Sequence, residues 1–271
     1  MSSMNAHPII TPTTYLFIDG GYLRRYYTKA ALQWFDSEGE INIGALKQSF
    51  KAQKSFYYDC LDDLLRPGEA QAEFETRLAQ QEEFFNKIRE AVGSHVKLGS
   101  LTGAVKNRRQ KKVDILLAVD MLNHAVRRNM ERAVLLSGDR DFEPVVESLV
   151  QMGLFVEVAA VPGHFAKDLA LAADSFREIR FNDFHFWTAM ELRKKYPINF
   201  PTLNSPSDRA VLVKRGKMNG KAVSAYGFPN DNIFYIDLGP DKNKNKTVFQ
   251  ATDLQRLETY IALQYSPIVW E

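Results

Sequence analysis

The sequence holds a single cysteine, Cys60, among its 271 residues. One thiol cannot form an internal disulfide, and no Cys/His group shows zinc spacing. A disulfide scaffold is therefore excluded, and a reducing, cytoplasmic setting is expected. Cys60 itself reads as a small packing residue, not a nucleophile. Long apolar runs are missing too. None approaches the roughly 20 residues needed to span a bilayer, so no membrane partner is expected. The segment Met1 to Thr14 is polar and broken by Pro8 and Pro12, without the charged end and apolar stretch of a signal peptide. In that setting Asn245-Lys246-Thr247 is a chance match to a glycosylation acceptor. Charge of one sign is also scarce. Lys and Arg total 35 against 33 Asp and Glu, a net +2, too mild to name a partner, so the placement of charge has to carry the argument.

What is present is 45% hydrophobic, enough for one large α/β domain and a small appendage. Tyr15-Leu16-Phe17-Ile18 is an apolar run that ends in Asp19-Gly20-Gly21, the pattern of a strand buried on both faces. Further strands are expected at Lys54 to Asp59, His95 to Leu101, Ala133 to Ser137 and Leu154 to Val161. Helical patterns lie between them at Gln71 to Val92, Val113 to Val126 and Phe142 to Met152. Alternation of this kind predicts crossover units and a mostly parallel sheet, a three-layer α/β/α domain over residues 14–187. Pro197, Pro201 and Pro206 break a linker over 188–207. Residues 208–271 hold short apolar segments spaced by Gly, Asn and Asp, which predict a small β-rich, barrel-like domain closed by a helix near Leu254 to Leu263.

Ligand sites in a parallel sheet form beyond the carboxyl ends of its strands. Asp19 follows the first strand, and Asp139 follows the fourth within Ser137-Gly138-Asp139-Arg140-Asp141. If those strands are neighbours, the two carboxylates converge, with Asp141 close behind. Small Ser137 and Gly138 leave room for a sharp turn and expose backbone N–H groups. Asp114 lies in the first turn of a helix, and Asp120 six residues on. That spacing is about 240° around the axis, so the two do not share a face, and Asp114 is the better direct participant. Any one of these aspartates alone reads as a turn or capping residue. Jointly placed at one edge, they repel one another, and a hard divalent cation relieves that. Oxygen-only ligands point to Mg²⁺ or Mn²⁺ rather than zinc, ions that polarise a phosphodiester and lower the pKa of a bound water.

Basic residues stand close by in sequence. Lys106, Arg108, Arg109, Lys111 and Lys112 crowd the segment before Asp114, which suits a phosphate backbone more than it suits an idle solvated loop. Arg24 and Arg25 with Tyr26 and Tyr27 could hold phosphate and stack a base, or the tyrosines could pack in the core. Arg140 either reaches phosphate or balances charge. His164 lies at the same edge. Lys214, Arg215, Lys217 and Lys221 form a second patch, open equally to nucleic acid and to a protein partner, and homo-oligomerisation is left open.

Three blocks, Phe17-Ile18-Asp19-Gly20-Gly21-Tyr22-Leu23, Lys112 to Met121 and Leu135 to Val146, resemble in sequence and order the NYN domain family of PIN-like nucleases. The resemblance covers roughly Thr14 to Phe186. It implies a Rossmann-like, PIN-type fold and Mg²⁺- or Mn²⁺-dependent ribonuclease activity. It implies that Asp19, Asp114, Asp139 and Asp141 form the acidic, metal-binding and catalytic centre, lined by Ser137, with Asp120 as accessory and Asp174 structural. Many members carry Asn shortly after the first Asp-Gly, where this chain has Gly21-Tyr22. The expected substrate is RNA, in single-stranded form, with DNA not excluded. The alternative is a catalytically weakened nucleic-acid-binding or regulatory scaffold. A phosphatase ranks below both, because the first strand lacks a paired Asp-x-Asp.

Overall fold

The computed structural model describes residues 12–102, 109–111, 113–228, 231–240 and 246–271. They form two compact units, one from the described residues of 12–26 and 41–179, the other from those of 27–40 and 180–271.

The first unit is built on β1, Thr14–Asp19, whose Leu16, Phe17 and Ile18 are fully buried. A strand with apolar residues at consecutive positions needs cover on both faces, and the sheet provides it. Following β1 come α1 (Gly20–Phe35), α2 (Ile43–Ser49), β2 (Lys54–Cys60), α3 (Gln71–Glu90) and β3 (Ser94–Thr102). A short β4 (Arg109–Lys111) precedes α4 (Val113–Val126) and β5 (Arg132–Leu136). A 3-10 turn at Arg140–Phe142 leads into α5 (Glu143–Gln151), then β6 (Phe155–Ala160), α6 (Lys167–Ala172) and β7 (Ser175–Glu178). Strand order is β4-β3-β2-β1-β5-β6-β7. All pairs are parallel except β3 with β4.

The parallel α/β sheet expected from the sequence is therefore present. The chain winds outward from β1 to β3, then returns to the other side of β1 with β5. Between β1 and β5 lies the switch point, where such sheets open a crevice at their carboxyl edge. Register pairs Ile18 with Leu136, so Asp19 and Ser137 leave the sheet side by side. On one face, Tyr15, Phe17, Phe56, Leu135 and Val158 pack with Val113, Leu117 and Met121 of α4 and with Val146 and Leu149 of α5. The buried positions of α4 recur every four residues, which gives one apolar stripe. On the other face Tyr57 meets Phe85 of α3. Helices on both faces complete three layers.

Two strands were not foreseen. β4 lies inside the stretch read as a basic loop, and β7 carries Phe176 of the Asp174 segment. The Arg24 to Lys51 stretch, left unassigned from sequence, is mostly helical. Leu23, Tyr27, Ala30, Ala31 and Trp34 of α1 are all buried, a helical spacing in plain view.

The second unit takes in the end of α1 and continues with α7 (Phe181–Trp187), α8 (Met190–Lys195) and β8 (Thr202–Leu203). β9 (Val211–Met218), β10 (Lys221–Phe228), β11 (Ile233–Pro240) and β12 (Lys246–Ala251) follow, then α9 (Leu254–Gln264) and β13 (Val269–Trp270). The antiparallel sheet runs β13-β9-β10-β11-β12-β8. Its edges, β13 and β8, are not paired with each other among the described residues. Leu257, Tyr260 and Ile261 of α9 are buried, and Tyr260 meets Phe249 of β12 at 5.8 Å between ring centroids. Trp34 is fully buried, with the Arg256 guanidinium 3.9 Å from its ring centroid. No helix among the described residues is long and apolar enough to cross a membrane.

Candidate active site

Asp19 is the last residue of β1 and stands where the sheet edge opens. Its Oδ1 accepts the Tyr22 backbone N–H at 3.0 Å, and its Oδ2 accepts the Ser137 hydroxyl at 2.9 Å. Ser137 is fully buried, and its oxygen in turn accepts the Asp139 backbone N–H at 3.2 Å. A chain of hydrogen bonds thus ties the end of β1 to the turn after β5. Asp139 caps that turn, its Oδ1 accepting the Asp141 N–H at 3.1 Å. Asp139 and Asp141 are exposed, and so is Asp114 in the first turn of α4.

Two glycines make this approach possible. A Cβ on Gly20 would lie 2.5 Å from the Tyr57 ring and 2.7 Å from the Tyr58 carbonyl. On Gly138 it would lie 2.2 Å from the His164 carbonyl oxygen and 2.9 Å from the Tyr22 ring. Neither position has room for any side chain.

Electrostatics show which acids share a field. Burial pushes the Asp19 carboxyl up, its two hydrogen bonds pull it down, and the charges of Asp59 and Asp139 push it up again. Asp114, though its residue is open to solvent, is also raised, first by partial desolvation of its carboxyl and then by Asp19, Asp139 and Asp141. The acids expected at the centre are therefore within electrostatic reach of one another. Among the described residues none of the four is paired with a cation. Asp120 lies apart from them. Its Oδ2 accepts the Tyr58 hydroxyl at 3.0 Å and sits 3.7 Å from Lys97 Nζ. Asp174 accepts the Val156 backbone N–H at 2.8 Å, a structural tie.

Among the described residues, no three His, Cys, Asp or Glu side chains stand as a ready-made metal cage. The donor set nonetheless fits a hard divalent cation. It is all oxygen, its carboxylates repel one another, and no cation pairs with it among the described residues.

Sequence reasoning passed over Asp59, at the end of β2. It is fully buried. Arg24 grips it with Nη1 3.0 Å from Oδ2 and Nη2 3.1 Å from Oδ1. The Cys60 N–H and the Tyr57 hydroxyl complete its shell, at 2.8 and 3.3 Å. Burial raises its carboxyl and Arg24 opposes the rise. The rule that picked out Asp19, an acid closing an apolar parallel strand, applies equally to Phe56-Tyr57-Tyr58-Asp59.

The expected phosphate contacts divide. Arg24 is committed to Asp59. Arg140 is 69% exposed and pairs with Asp168 at 2.8 Å and Glu143 at 3.5 Å. Exposed pairs like these contribute only about 0–1 kcal/mol, so a polyanion can displace them. Arg109 and Lys111 lie on β4, while Lys106, Arg108 and Lys112 lie outside the described residues. Cys60 is buried, and burial pushes its thiol up to about 11, too high for a nucleophile at neutral pH.

The model of the NYN domain matches residues 13–180, a span that contains Asp19, Asp114, Asp139 and Asp141. The chain belongs to the NYN family. NYN domains are PIN-like nucleases. No curated protein matches the sequence. Among solved structures, the chain is similar to a protein of unknown function from Vibrio parahaemolyticus. The two are 18% identical, with 66% of this chain and 98% of the other covered and a TM-score of 0.49.

The NYN position where many members carry Asn is filled here by Gly21-Tyr22. The Tyr22 side chain is engaged away from Asp19. Its hydroxyl donates to the His164 carbonyl at 2.9 Å and accepts the Val161 N–H at 2.8 Å. Orientation of Asp19 falls to the Tyr22 backbone N–H and to Ser137.

Proposed function

We propose that this NYN chain is a metal-dependent ribonuclease that hydrolyses RNA phosphodiester bonds at Asp19, Asp114, Asp139 and Asp141. The observation that supports the reading is the hydrogen-bonded junction of two strand ends, where Ser137 joins Asp19 of β1 to Asp139 after β5, with Asp114 raised in part by the charges of Asp19, Asp139 and Asp141. These four carboxylates would hold Mg²⁺ or Mn²⁺. A divalent cation there supplies Lewis acidity to the phosphoryl group and lowers the pKa of water.

The protein's own residues do the positioning. Ser137 and the Tyr22 N–H hold the Asp19 carboxylate at the sheet edge, one on each oxygen. The cap from Asp139 to Asp141 holds the turn that presents both. Arg140, and the basic residues that precede Asp114 in sequence, would contact phosphates without reading sequence. The basic residues of β9 and β10 are a further contact for nucleic acid or a protein partner. Two of them are already engaged, Lys214 with Glu258 at 2.9 Å and Lys217 with Glu271 at 3.6 Å. A reducing, cytoplasmic setting suits a chain whose one cysteine is buried and unpaired.

The test is cleavage of end-labelled single-stranded RNA and DNA with Mn²⁺, Mg²⁺ or chelator, beside Asp139→Ala. The expected result is metal-dependent cutting of RNA that falls at least about a hundredfold in the variant, with the fold retained. Full activity in Asp139→Ala would remove the assignment. RNA retained but never cut would favour the scaffold reading, which the Gly21-Tyr22 departure from the Asn of many members motivates.

A further inference from the structure

Beside the acidic cluster, the first turns of α1 and the loop after β6 bring three rings together. Tyr22 and Tyr26 are one helical turn apart, with ring centroids 4.8 Å apart. Tyr26 and His164 follow at 4.7 Å, tilted by 33°. Arg25 adds its guanidinium 5.6 Å from the Tyr26 centroid. His164 is exposed, while the two tyrosines are half-buried. The imidazole is thus held against the Tyr26 ring while the residue stays open to solvent.

The arrangement is held in place before any ligand arrives. The Tyr22 hydroxyl bonds both the His164 carbonyl and the Val161 N–H. The His164 N–H bonds the Val161 carbonyl at 3.0 Å, and the Ala166 N–H bonds the Gly138 carbonyl at 3.0 Å. The residue that pins this loop through its side chain also orients Asp19 through its backbone. Ring and carboxylate are therefore fixed to each other through Tyr22. A flat, exposed, preorganised ring next to a phosphate-cleaving centre matches the π-face of a base, and a cation beside it matches the adjoining phosphate. Bases inside a duplex are already stacked and present no face.

We propose that His164, beside Tyr26, is a stacking platform for an unpaired nucleobase next to the scissile phosphate. The proposal rests on the ribonuclease reading for its position but not for its test. The full chain is titrated, in chelator, into a single-stranded RNA oligonucleotide carrying 2-aminopurine. Binding quenches the fluorophore. His164→Ala weakens binding about tenfold and relieves the quench, while His164→Phe keeps both. The same RNA annealed to its complement binds more weakly and is indifferent to His164→Ala. Equal affinity and quench in wild type and His164→Ala overturn the platform, as does failure of the wild type to bind. The titration reads no cleavage; in a separate assay with Mn²⁺, a chain that stacks the base but never cuts contradicts the nuclease reading alone. A chain that cuts without regard to His164 contradicts the platform alone.

Discussion

Asp19 and Asp59 close neighbouring strands, one residue out of register, since Asp19 pairs with Tyr58. Burial raises both carboxyls. Their partners differ. Asp59 has a guanidinium on both oxygens. Among the described residues Asp19 has a hydroxyl and an N–H, and the charges of Asp59 and Asp139 work against it. A buried acid whose charge is matched by the fold contributes to the fold. One whose charge is left unmatched costs stability and persists where something from outside supplies the match. Two aspartates that look alike in sequence thus separate into a structural pair and a candidate site.

The sharpest break of this comparison is Asp59→Ala. It strands Arg24, whose side chain is 36% exposed and so partly rescued by water. A loss of about 2–3 kcal/mol is expected in denaturant unfolding, with cleavage per folded molecule preserved. Stability unchanged by that substitution would mean the pair is idle.

Next in size is the coupling of stability to pH and metal. Asp19 and Asp114 hold their protons to a higher pH in the folded chain than in the unfolded one. The folded state binds more protons in that window, so their contribution falls as pH rises through it. Added Mn²⁺ should raise the melting temperature above that window and do little below it. Thermal unfolding from about pH 4 to about pH 7, with and without chelator, reads this directly. A metal effect of equal size at both ends would contradict it.

The smallest effect is expected at Asp120. Tyr58 and Lys97 already engage it, so Asp120→Asn should cost about 1 kcal/mol and change cleavage by no more than a few-fold. A loss as deep as that of Asp139→Ala would bring Asp120 into the centre.

Much of this was legible in the chain. The run Tyr15 to Ile18 followed by Asp19 locates the central strand, and Val113 to Val126 matches α4 end to end. The block Ser137 to Asp141 gives the turn, because strand-edge acids and small residues obey local rules. What escaped depends on pairing between distant segments. The short β4 and β7 have too few residues to show a period. Arg24 reads as a phosphate ligand until β2 brings Asp59 beneath it, 35 residues away in sequence. Tyr22 looks like a lost amide until its hydroxyl is found 142 residues away on the His164 carbonyl.

The most direct measurement is calorimetric titration of Mn²⁺ into wild type, Asp19→Asn and Asp59→Asn, with RNA cleavage followed on the same samples. The account predicts saturable Mn²⁺ binding and cutting in wild type, loss of both in Asp19→Asn, and retention of both in folded Asp59→Asn. Unchanged Mn²⁺ affinity in Asp19→Asn would contradict it.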